Sequence, residues 1–284
     1  MALQPRENVL GTVVAAIVLI LGTQSASARS AQPSSIAARY EIGIAGINVG
    51  RFTFEANTTK REYRLSGRGE VKALFGAFKW SGRLKSHGRL TQGGLTPTGY
   101  EHQFNSKRKI LFKTKRKKRD VKMGFKRGRV VALDVSPPAK TKGRVPLLER
   151  HLRGVLDPMS AILLLSRLDG ENPCRRKVEV FDGKTRFRLV LSYKSRQRVR
   201  GRGAEFDYTC GLRYVPVAGH KRKDEETEHV ANNGDISIVL RTFPASKLVV
   251  AREVNISTVA GTAFARVTRV DMVTTDRRKV ALMR

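Results

Sequence analysis

The stretch YEIGIAGINVGRFTFE, residues 40–55, contains the alternating pattern from which the fold class can be inferred. Apolar residues alternate with polar residues or glycine on both sides of a centre that runs from Gly46 to Gly50. Because successive side chains of a β-strand point to opposite faces, this alternation predicts two strands with one face on a core and the other in water. The glycines predict a turn or kink between them, so the stretch predicts a hairpin.

Similar runs continue through the rest of the chain and set the fold class. Asp182-Gly183-Lys184 and the region around Gly261 each separate two such runs and predict further hairpins. About a dozen short strands separated by turn residues are typical of one large antiparallel sheet that is curved or closed. We therefore predict a mainly β fold, a half-barrel or barrel-like sheet with one or two short helices. The runs lie at residues 63–67, 78–84, 109–115, 119–125, 129–135, 178–181, 185–191, 248–258 and 262–273.

One helix is expected between two strand-rich halves, residues 38–138 and 175–284. Asp157 suits the N-cap position, Pro158 suits the first helical position, and apolar residues continue to Leu168. Asp169-Gly170 is expected to end the helix. The helical segment 145–168 thus links the halves, and its apolar stripe is interpreted as a core-packing face rather than a partner site.

The N-terminus predicts export. Residues 1–28 resemble a signal peptide, with a run of about 14 apolar residues before Ala26-Ser27-Ala28 and cleavage after Ala28. A membrane span needs about 20 apolar residues, although a retained anchor is the alternative interpretation. Residues 29–37 form a short polar segment, and residues 38–284 are expected to form a single β-rich domain. The predicted location is the periplasm.

Two cysteines, Cys174 and Cys210, occur in the exported part of the chain. An even number of cysteines in an oxidising compartment favours one disulfide. Two buried free thiols are the alternative.

The formal net charge is +32, which makes polyanions the first partners to consider. A cytosolic protein of this charge would suggest nucleic acid. Because export is predicted, an anionic membrane surface or an envelope polymer becomes the expected partner, and nucleic acid becomes the less favoured alternative.

The basic residues concentrate in the tract Lys107–Arg129, which fits two strands with Lys115 to Lys118 near the turn and cations on one face and at the tip. A second cluster surrounds Gly201 and would extend this positive field. A solvated strand face that discourages edge-to-edge aggregation is the alternative interpretation. The candidate anion-binding residues are Lys107, Arg108, Lys109, Lys113, Lys115, Arg116, Lys117, Lys118, Arg119, Arg196, Arg198, Arg200 and Arg202.

No residue pattern identifies a reaction. The five histidines are scattered, and neither HExxH nor GxSxG occurs. Gly67-Arg68-Gly69 lacks the rest of a dinucleotide-binding motif. We nominate no catalytic residue, no metal ligand and no cofactor, and an enzyme remains a third hypothesis.

Several segments together resemble a bacterial exported family known as domain of unknown function 3108, over most of residues 38–275. The resemblance implies an exported β-rich protein with no established activity. Some members look like relatives of lipoprotein-carrier folds, in which a curved sheet wraps around a helix and encloses an apolar cavity. The segments are residues 40–50, residues 156–161 (LDPMSA), residues 180–184 (VFDGK), and Cys210 followed by residues 214–220 (YVPVAGH).

These observations predict an exported, non-catalytic envelope protein. It would bind a lipid-like or other apolar ligand, anionic envelope components, or both. The alternative is a basic surface module that binds polyanions (anionic lipid, polysaccharide or nucleic acid) without a pocket.

Overall fold

The computed structural model describes residues 33–92, 94–110, 113–200, 203–222, 225–232, 236–258 and 261–283. Within these ranges fourteen strands form one antiparallel sheet that does not close, accompanied by two short helices, so the predicted fold class is confirmed. The helices are α1 (Pro158–Leu165) and α2 (Glu225–Asn232). The strands are β1 (Pro33–Ile44), β2 (Ile47–Thr58), β3 (Glu62–Ala73), β4 (Phe78–Thr91), β5 (Gly94–Ile110), β6 (Lys113–Lys126), β7 (Arg129–Ser136), β8 (Lys177–Phe181), β9 (Arg186–Arg198), β10 (Phe206–Ala218), β11 (Ser237–Phe243), β12 (Leu248–Thr258), β13 (Gly261–Thr274) and β14 (Lys279–Met283).

The sheet order is β7-β6-β5-β4-β3-β2-β1-β13-β12-β11-β10-β9-β8, with β14 paired to β13. Every pairing is antiparallel, and strands that are neighbours in the sheet are also consecutive in the chain except where β1 meets β13. That pairing joins the two halves, from Pro33 opposite Thr274 to Ile44 opposite Ala263. The first and last parts of the domain are therefore adjacent, and β7 and β8 remain as the edges.

The segment between β7 and β8 bridges these two edges. The Gly154 N–H donates to the carbonyl of Gly128 beside β7 at 2.9 Å. Two residues later, Leu156 donates to Glu179 and accepts from Phe181, both in β8 and both at 2.9 Å. Phe181 then packs in the same buried cluster as side chains of β3, β5 and β6. The sheet thus curls into a barrel-like shape whose gap is filled by the connecting segment.

The two ends of the sheet differ. Strands β1, β3, β5 and β12 all end at one end of the sheet, which we call the turn end. Helix α1 packs inside the sheet toward the opposite end, the helix end: Met159 lies against Gly67 of β3. Just after α1, the carbonyl of Ser166 accepts a hydrogen bond from the N–H of Val249, near the start of β12, at 2.8 Å. The helix therefore connects the two halves of the sheet across its interior.

Helix α1 begins where the sequence predicts and ends earlier. Asp157 is its N-cap, and Pro158 is its first residue. The predicted end at Leu168 is wrong, because α1 ends at Leu165. Beyond it, the N–H of Leu168 donates to the carbonyl of Lys247 at 2.9 Å. Hydrogen bonds to the start of β12 thus replace the last helical turn.

Two further predictions about local structure are wrong. Strand β1 already begins at Pro33, inside the segment 29–37 that we expected to precede the domain, because β13 offers it a partner from Thr274 onward. Lys115 to Lys118 are not near a turn but lie in β6, since the backbone pairing with β5 continues to Lys113. Residues 225–232 form α2, consistent with the good helix propensity of Glu and Ala.

Cys174 and Cys210 form a disulfide, as predicted, and both residues are fully buried. The bond ties the segment before β8 to β10, so the alternative of two free thiols is wrong. No helix in the described ranges is long and apolar enough to cross a membrane. Residues 1–28, for which we predict a signal peptide, lie outside the described residues.

Candidate ligand cavity

An apolar cavity of about 290 Å³ lies between α1 and the sheet strands that join the two halves. It is formed where the inner faces of β1 and β2 approach those of β11, β12 and β13. The lining residues are Ile36, Ala38, Tyr40, Ile42, Phe52, Phe54, Ile162, Leu163, Leu165, Ser166, Ile238, Leu240, Leu248, Val249, Val250, Ala251, Val254, Ala265 and Val270.

The cavity is closed toward the helix end and approaches solvent toward the turn end. At its deep end, Leu240, Val249 and Val270 are each at most 1% exposed. At the other end, Ile42, Ala265 and Val254 lie side by side on β1, β13 and β12, and all three are partly exposed. This row lies two residues from the end of β1. The mouth of the cavity therefore faces the turn end.

Polar groups are few in this lining. Ser166 donates its hydroxyl to the carbonyl of Ile162 at 2.8 Å, one turn back along the chain. Burial raises the pKa of Tyr40 to about 12, so its phenol is neutral at physiological pH. The Tyr40 hydroxyl is therefore the lining group best suited to hydrogen-bond a polar atom on an otherwise apolar ligand.

Three glycines, Gly67 and Gly69 of β3 and Gly82 of β4, leave room beside the cavity for large side chains. A Cβ atom at Gly69 would lie 3.0 Å from the Trp80 ring and 3.2 Å from the Phe52 ring. The directly opposite residue, Gly82, is tighter still, with Trp80 ring atoms at 2.7 Å. Gly67-Arg68-Gly69, which lacks a complete nucleotide motif, is thus explained by packing: its two glycines face inward and admit large side chains.

The start of α1 is fastened to the sheet by a buried polar cluster of Asp157, Ser160, Ser86 and Tyr63. One oxygen of Asp157 accepts the backbone N–H groups of Met159 and Ser160, each at 3.0 Å. Its other oxygen accepts the hydroxyls of Ser160 at 2.5 Å and Ser86 at 2.9 Å. Tyr63 and Ser160 share a hydrogen bond of 2.8 Å. Three elements, β3, β4 and α1, thus meet in one network.

This cluster is closed to solvent, with each of its four side chains at most 2% exposed. Burial raises the pKa of Asp157, although the hydrogen bonds from Ser160, Ser86 and Met159 oppose the rise. Burial also raises the pKa of the Tyr63 phenol. Since no substrate can approach the carboxylate from outside, its arrangement suits the positioning of α1.

The prediction that the cations of the basic tract lie on one face and at the tip is wrong, because they divide between two faces. Strands β5 and β6 extend together at the turn end, and residues 113–118 are all exposed. Side chains alternate between faces along a strand, so the cations divide into two sets. Lys107, Lys109, Arg116 and Lys118 lie on the outer face, and Arg108, Lys113, Lys115, Lys117 and Arg119 lie on the inner face.

Four cations form a continuous row across the outer face. Lys72 of β3 is directly opposite Lys79 of β4, Lys79 is opposite Lys107 of β5, and Lys107 is opposite Arg116 of β6. We call these four residues the cation row. Among the described residues none of them forms an ion pair. Two members, Lys72 and Lys79, lie outside the predicted tract and were missed, because only the strand register reveals them.

The second basic cluster does not extend this field. Arg196 and Arg198 lie at the end of β9, opposite Tyr208 and Phe206 of β10, and therefore at the helix end. Arg196 covers the Phe206 ring at 4.9 Å. Arg200 follows β9, and Arg202 lies outside the described residues. The two clusters are at opposite ends of the sheet.

The described residues hold no group of three or more His, Cys, Asp or Glu that could bind a metal ion. His102 Nε2 and His220 Nδ1 are buried without a hydrogen-bond partner among the described residues. Burial and the nearby Arg119 lower the pKa of His102, while Asp182 opposes the effect.

An antiparallel sheet that curls around a short helix, with an apolar cavity between them, defines a barrel-like β protein. The chain belongs to the family described as "Protein of unknown function (DUF3108)", whose model matches residues 39–242. The resemblance noted in the sequence is thereby confirmed.

No curated protein matches the chain. Among solved structures, it is similar to a beta-barrel-like protein of domain of unknown function DUF1849 from Brucella abortus. The two share 13% sequence identity over 86% of this chain and 100% of that chain, with a TM-score of 0.47.

Proposed function

We propose that this protein binds a lipid-like or other apolar ligand, without catalysis, in the cavity between α1 and the sheet. The observation that carries the proposal is an apolar cavity of about 290 Å³ with one end closed and the other facing solvent. This volume lies just below the roughly 300–1,000 Å³ that is usual for small-molecule sites. An apolar lining favours ligands that gain by leaving water, at about 25 cal/mol per Å² of apolar surface.

The shape of the cavity favours a slender ligand. Ala38, Ala251 and Ala265 contribute only methyl groups, which leaves space along β1, β12 and β13. Tyr40 supplies a hydroxyl part of the way to the mouth. We therefore propose a ligand with one apolar chain and a polar group, which would lie at Tyr40 or at the mouth.

The proposed place of action is the periplasm. This part of the proposal depends on the signal peptide expected at residues 1–28 and on the disulfide, which is typical of oxidising compartments. In that location the ligand would come from the envelope, and the high positive charge would draw the protein toward anionic surfaces.

Two measurements test the cavity. The protein purified from the periplasm is extracted with organic solvent, and mass spectrometry of the extract is expected to find a stoichiometric apolar molecule. The protein stripped in this way is titrated with N-phenyl-1-naphthylamine, a neutral apolar probe whose binding does not depend on the protein charge. Trp80 is the only tryptophan and packs against the same glycine as Phe52, so energy transfer from Trp80 reports a probe in the cavity.

Variants that fill the cavity provide the control. Ala251→Phe and Ala265→Phe add bulk to the lining and are expected to abolish probe binding. Ala132→Phe makes the same change at an exposed position of β7 and should leave binding unchanged. An empty extract together with equal probe binding by all three variants would contradict the proposal.

A second candidate function is association with polyanions through the protein surface, and the cation row favours it. Like charges directly opposite each other destabilise a sheet, so such a row is most favourable when an anion lies across it.

A further inference from the structure

Three large apolar side chains are exposed to solvent at the turn end. In the turn between β3 and β4, Leu74 is 74% exposed and Phe75 is fully exposed, and Ile47, just after the turn between β1 and β2, is 67% exposed. These turns are two strands apart at the same end of the sheet. Large exposed apolar groups that cluster on a folded surface mark sites of protein or membrane contact.

The backbone holds Leu74 and Phe75 in this exposed position. Both residues have a φ of 51°, in the left-handed region that residues other than glycine rarely adopt. Gly76 follows with a φ of 84°. The turn is closed by a hydrogen bond of 2.9 Å from the N–H of Ala77 to the carbonyl of Leu74. Ala77 is itself tied to β5, since its carbonyl accepts the N–H of Lys109 at 2.8 Å. The tip is therefore presented by a defined turn that is attached to the basic strands.

The cation row lies immediately beside this tip. Lys72 precedes the turn by two residues and Lys79 follows it by three. The four strands that carry the row are about 4.8 Å apart, so the row spans roughly 14 Å. This places four cations, which form no ion pair among the described residues, beside the base of an apolar tip.

An anionic bilayer fits this combination better than a nucleic acid does. A bilayer offers phosphate groups at its surface and an apolar phase directly beneath, so it can accept cations and aliphatic side chains at one contact. Nucleic acid offers the phosphates, but Leu74 and Ile47 cannot stack on bases as aromatic side chains do. The mouth of the cavity faces the same end, which would bring it to the lipid surface.

We propose that the turn end docks on an anionic phospholipid bilayer, with Leu74 and Phe75 inserted below the headgroups and the cation row on the lipid phosphates. This docking does not require that the cavity hold a ligand, so it stands or falls separately from the proposed function.

Vesicle flotation tests the apolar part of the proposal. The purified exported protein is expected to float with vesicles of phosphatidylglycerol and phosphatidylcholine and to remain unbound with phosphatidylcholine alone. Leu74→Ser/Phe75→Ser should weaken binding by about tenfold or more, because two side chains no longer leave water. The matched control, Val131→Ser/Leu133→Ser, removes two exposed apolar residues of β7 and should bind like the unmodified protein. Circular dichroism confirms that each variant folds.

Charge reversal tests the cationic part. Lys72→Glu/Lys79→Glu should abolish flotation with anionic vesicles. Lys60→Glu/Arg61→Glu makes the same change in net charge in the exposed turn at the helix end and should retain most of the binding. Binding of the unmodified protein should also fall as salt shortens the range of the attraction, which is ~10 Å at 0.1 M.

A spectroscopic variant locates the tip directly. In Trp80→Phe/Phe75→Trp, the new tryptophan is expected to shift to shorter emission wavelengths on vesicle binding and to be quenched by brominated acyl chains. The matched variant Trp80→Phe/Val131→Trp should show neither effect.

Three results would overturn the proposal. These are vesicle binding unchanged by Leu74→Ser/Phe75→Ser, equal loss of binding in the two charge-reversal variants, or tighter binding to DNA than to anionic vesicles at the same salt concentration. The first result would exclude insertion of the tip. The second would show that net charge alone explains binding, and the third would favour nucleic acid as the partner.

Discussion

The carboxylate of Asp157, at the start of α1, accepts a hydrogen bond from the hydroxyl of Ser86 in β4 at 2.9 Å. The two residues are 71 positions apart in the chain. Their contact fixes the start of the helix against the first half of the sheet, while the residues just after the helix bind β12 in the second half. The position of α1, and with it the size of the cavity, depends on this contact.

Asp157→Ala is expected to lower the free energy of unfolding by about 2–4 kcal/mol, because it removes the helix cap and leaves buried hydroxyl and N–H groups without an acceptor. Asp157→Asn should cost less, since its amide oxygen still caps the helix and its NH₂ group can donate to the serine hydroxyls. Urea unfolding monitored by circular dichroism measures both. Equal losses in the two variants would show that the charge, rather than the cap, carries the stabilisation.

Acid should weaken the clamp formed by Glu179, Arg186 and Arg188. Burial alone would raise the pKa of Glu179, but hydrogen bonds from Arg188 at 2.5 Å and Arg186 at 3.0 Å hold it below its ordinary value of 4.5. A carboxyl whose pKa is lower in the folded state stabilises the protein above its unfolded-state pKa. This stabilisation is lost as the pH falls from about 4.5 through the lower folded-state value.

Glu179→Gln should therefore reduce the pH dependence of unfolding below about pH 4.5, measured by thermal denaturation at a series of pH values. Glu62→Gln, at an exposed position of β3, serves as the control. The Asp157 carboxyl acts in the opposite direction, because its pKa is raised, so its protonated form is favoured by folding. An unchanged pH profile in Glu179→Gln would contradict the role of the clamp.

Loss of the disulfide is expected to destabilise the protein by about 3–4 kcal/mol, from the loop entropy of the 36-residue separation between Cys174 and Cys210. Cys174→Ala/Cys210→Ala should show this difference in urea unfolding. The same difference should separate the oxidised and reduced forms of the unmodified protein. Agreement between the two measurements within experimental error is the control, and no effect in either would contradict the prediction.

The close packing of Trp80 against Gly82 predicts a specific change in Trp80 fluorescence. In Gly82→Ala, the new Cβ would lie 2.7 Å from the Trp80 ring, so the ring must move toward Phe52 and the cavity. We expect a shifted Trp80 emission and weaker binding of N-phenyl-1-naphthylamine. Gly124→Ala, whose new Cβ has only the Ala132 side chain closer than 4 Å, should leave the emission unchanged.

The proposed export predicts a defined mature chain. The protein recovered from the periplasmic fraction should begin at Arg29, as measured by N-terminal sequencing. Replacing Ala28 with a large residue such as Leu should block cleavage and leave the longer chain in the membrane fraction. A full-length protein in the soluble cytoplasmic fraction would contradict this prediction.

Several parts of the fold follow from local sequence. The alternation in residues 40–55 predicts the β1–β2 hairpin, which the structure confirms, and Asp182-Gly183-Lys184 predicts the hairpin of β8 and β9. Asp157 and Pro158 predict the start of α1. These features depend on side-chain direction, turn residues and capping, all of which act over a few residues. The end of α1 could not be predicted this way, because contacts with β12 determine it.

The candidate sites likewise combine features that are visible in the sequence with features that depend on the pairing of distant strands. The density of Lys and Arg in residues 107–119 is visible in the sequence, but the cation row is not, since Lys72 and Lys79 join it only through the strand register. The exposed Phe75 gives no signal either, because an isolated Leu-Phe pair in a strand-rich sequence usually faces the core. A signal was available in Gly76, which follows this pair and favours a turn.

The class of the fold, the start of the helix, the cysteine pair and the excess of positive charge can be predicted from the residues alone, because periodicity, capping and composition are local properties. The pairing of β1 with β13 and the position of α1 inside the sheet, beside an apolar cavity, become visible only in the folded chain. The same is true of the placement of the two basic clusters at opposite ends. These features depend on contacts between residues far apart in the chain, from 71 positions between Ser86 and Asp157 to 227 positions between Tyr40 and Val267, and their geometry is fixed only when the whole sheet curls around the helix.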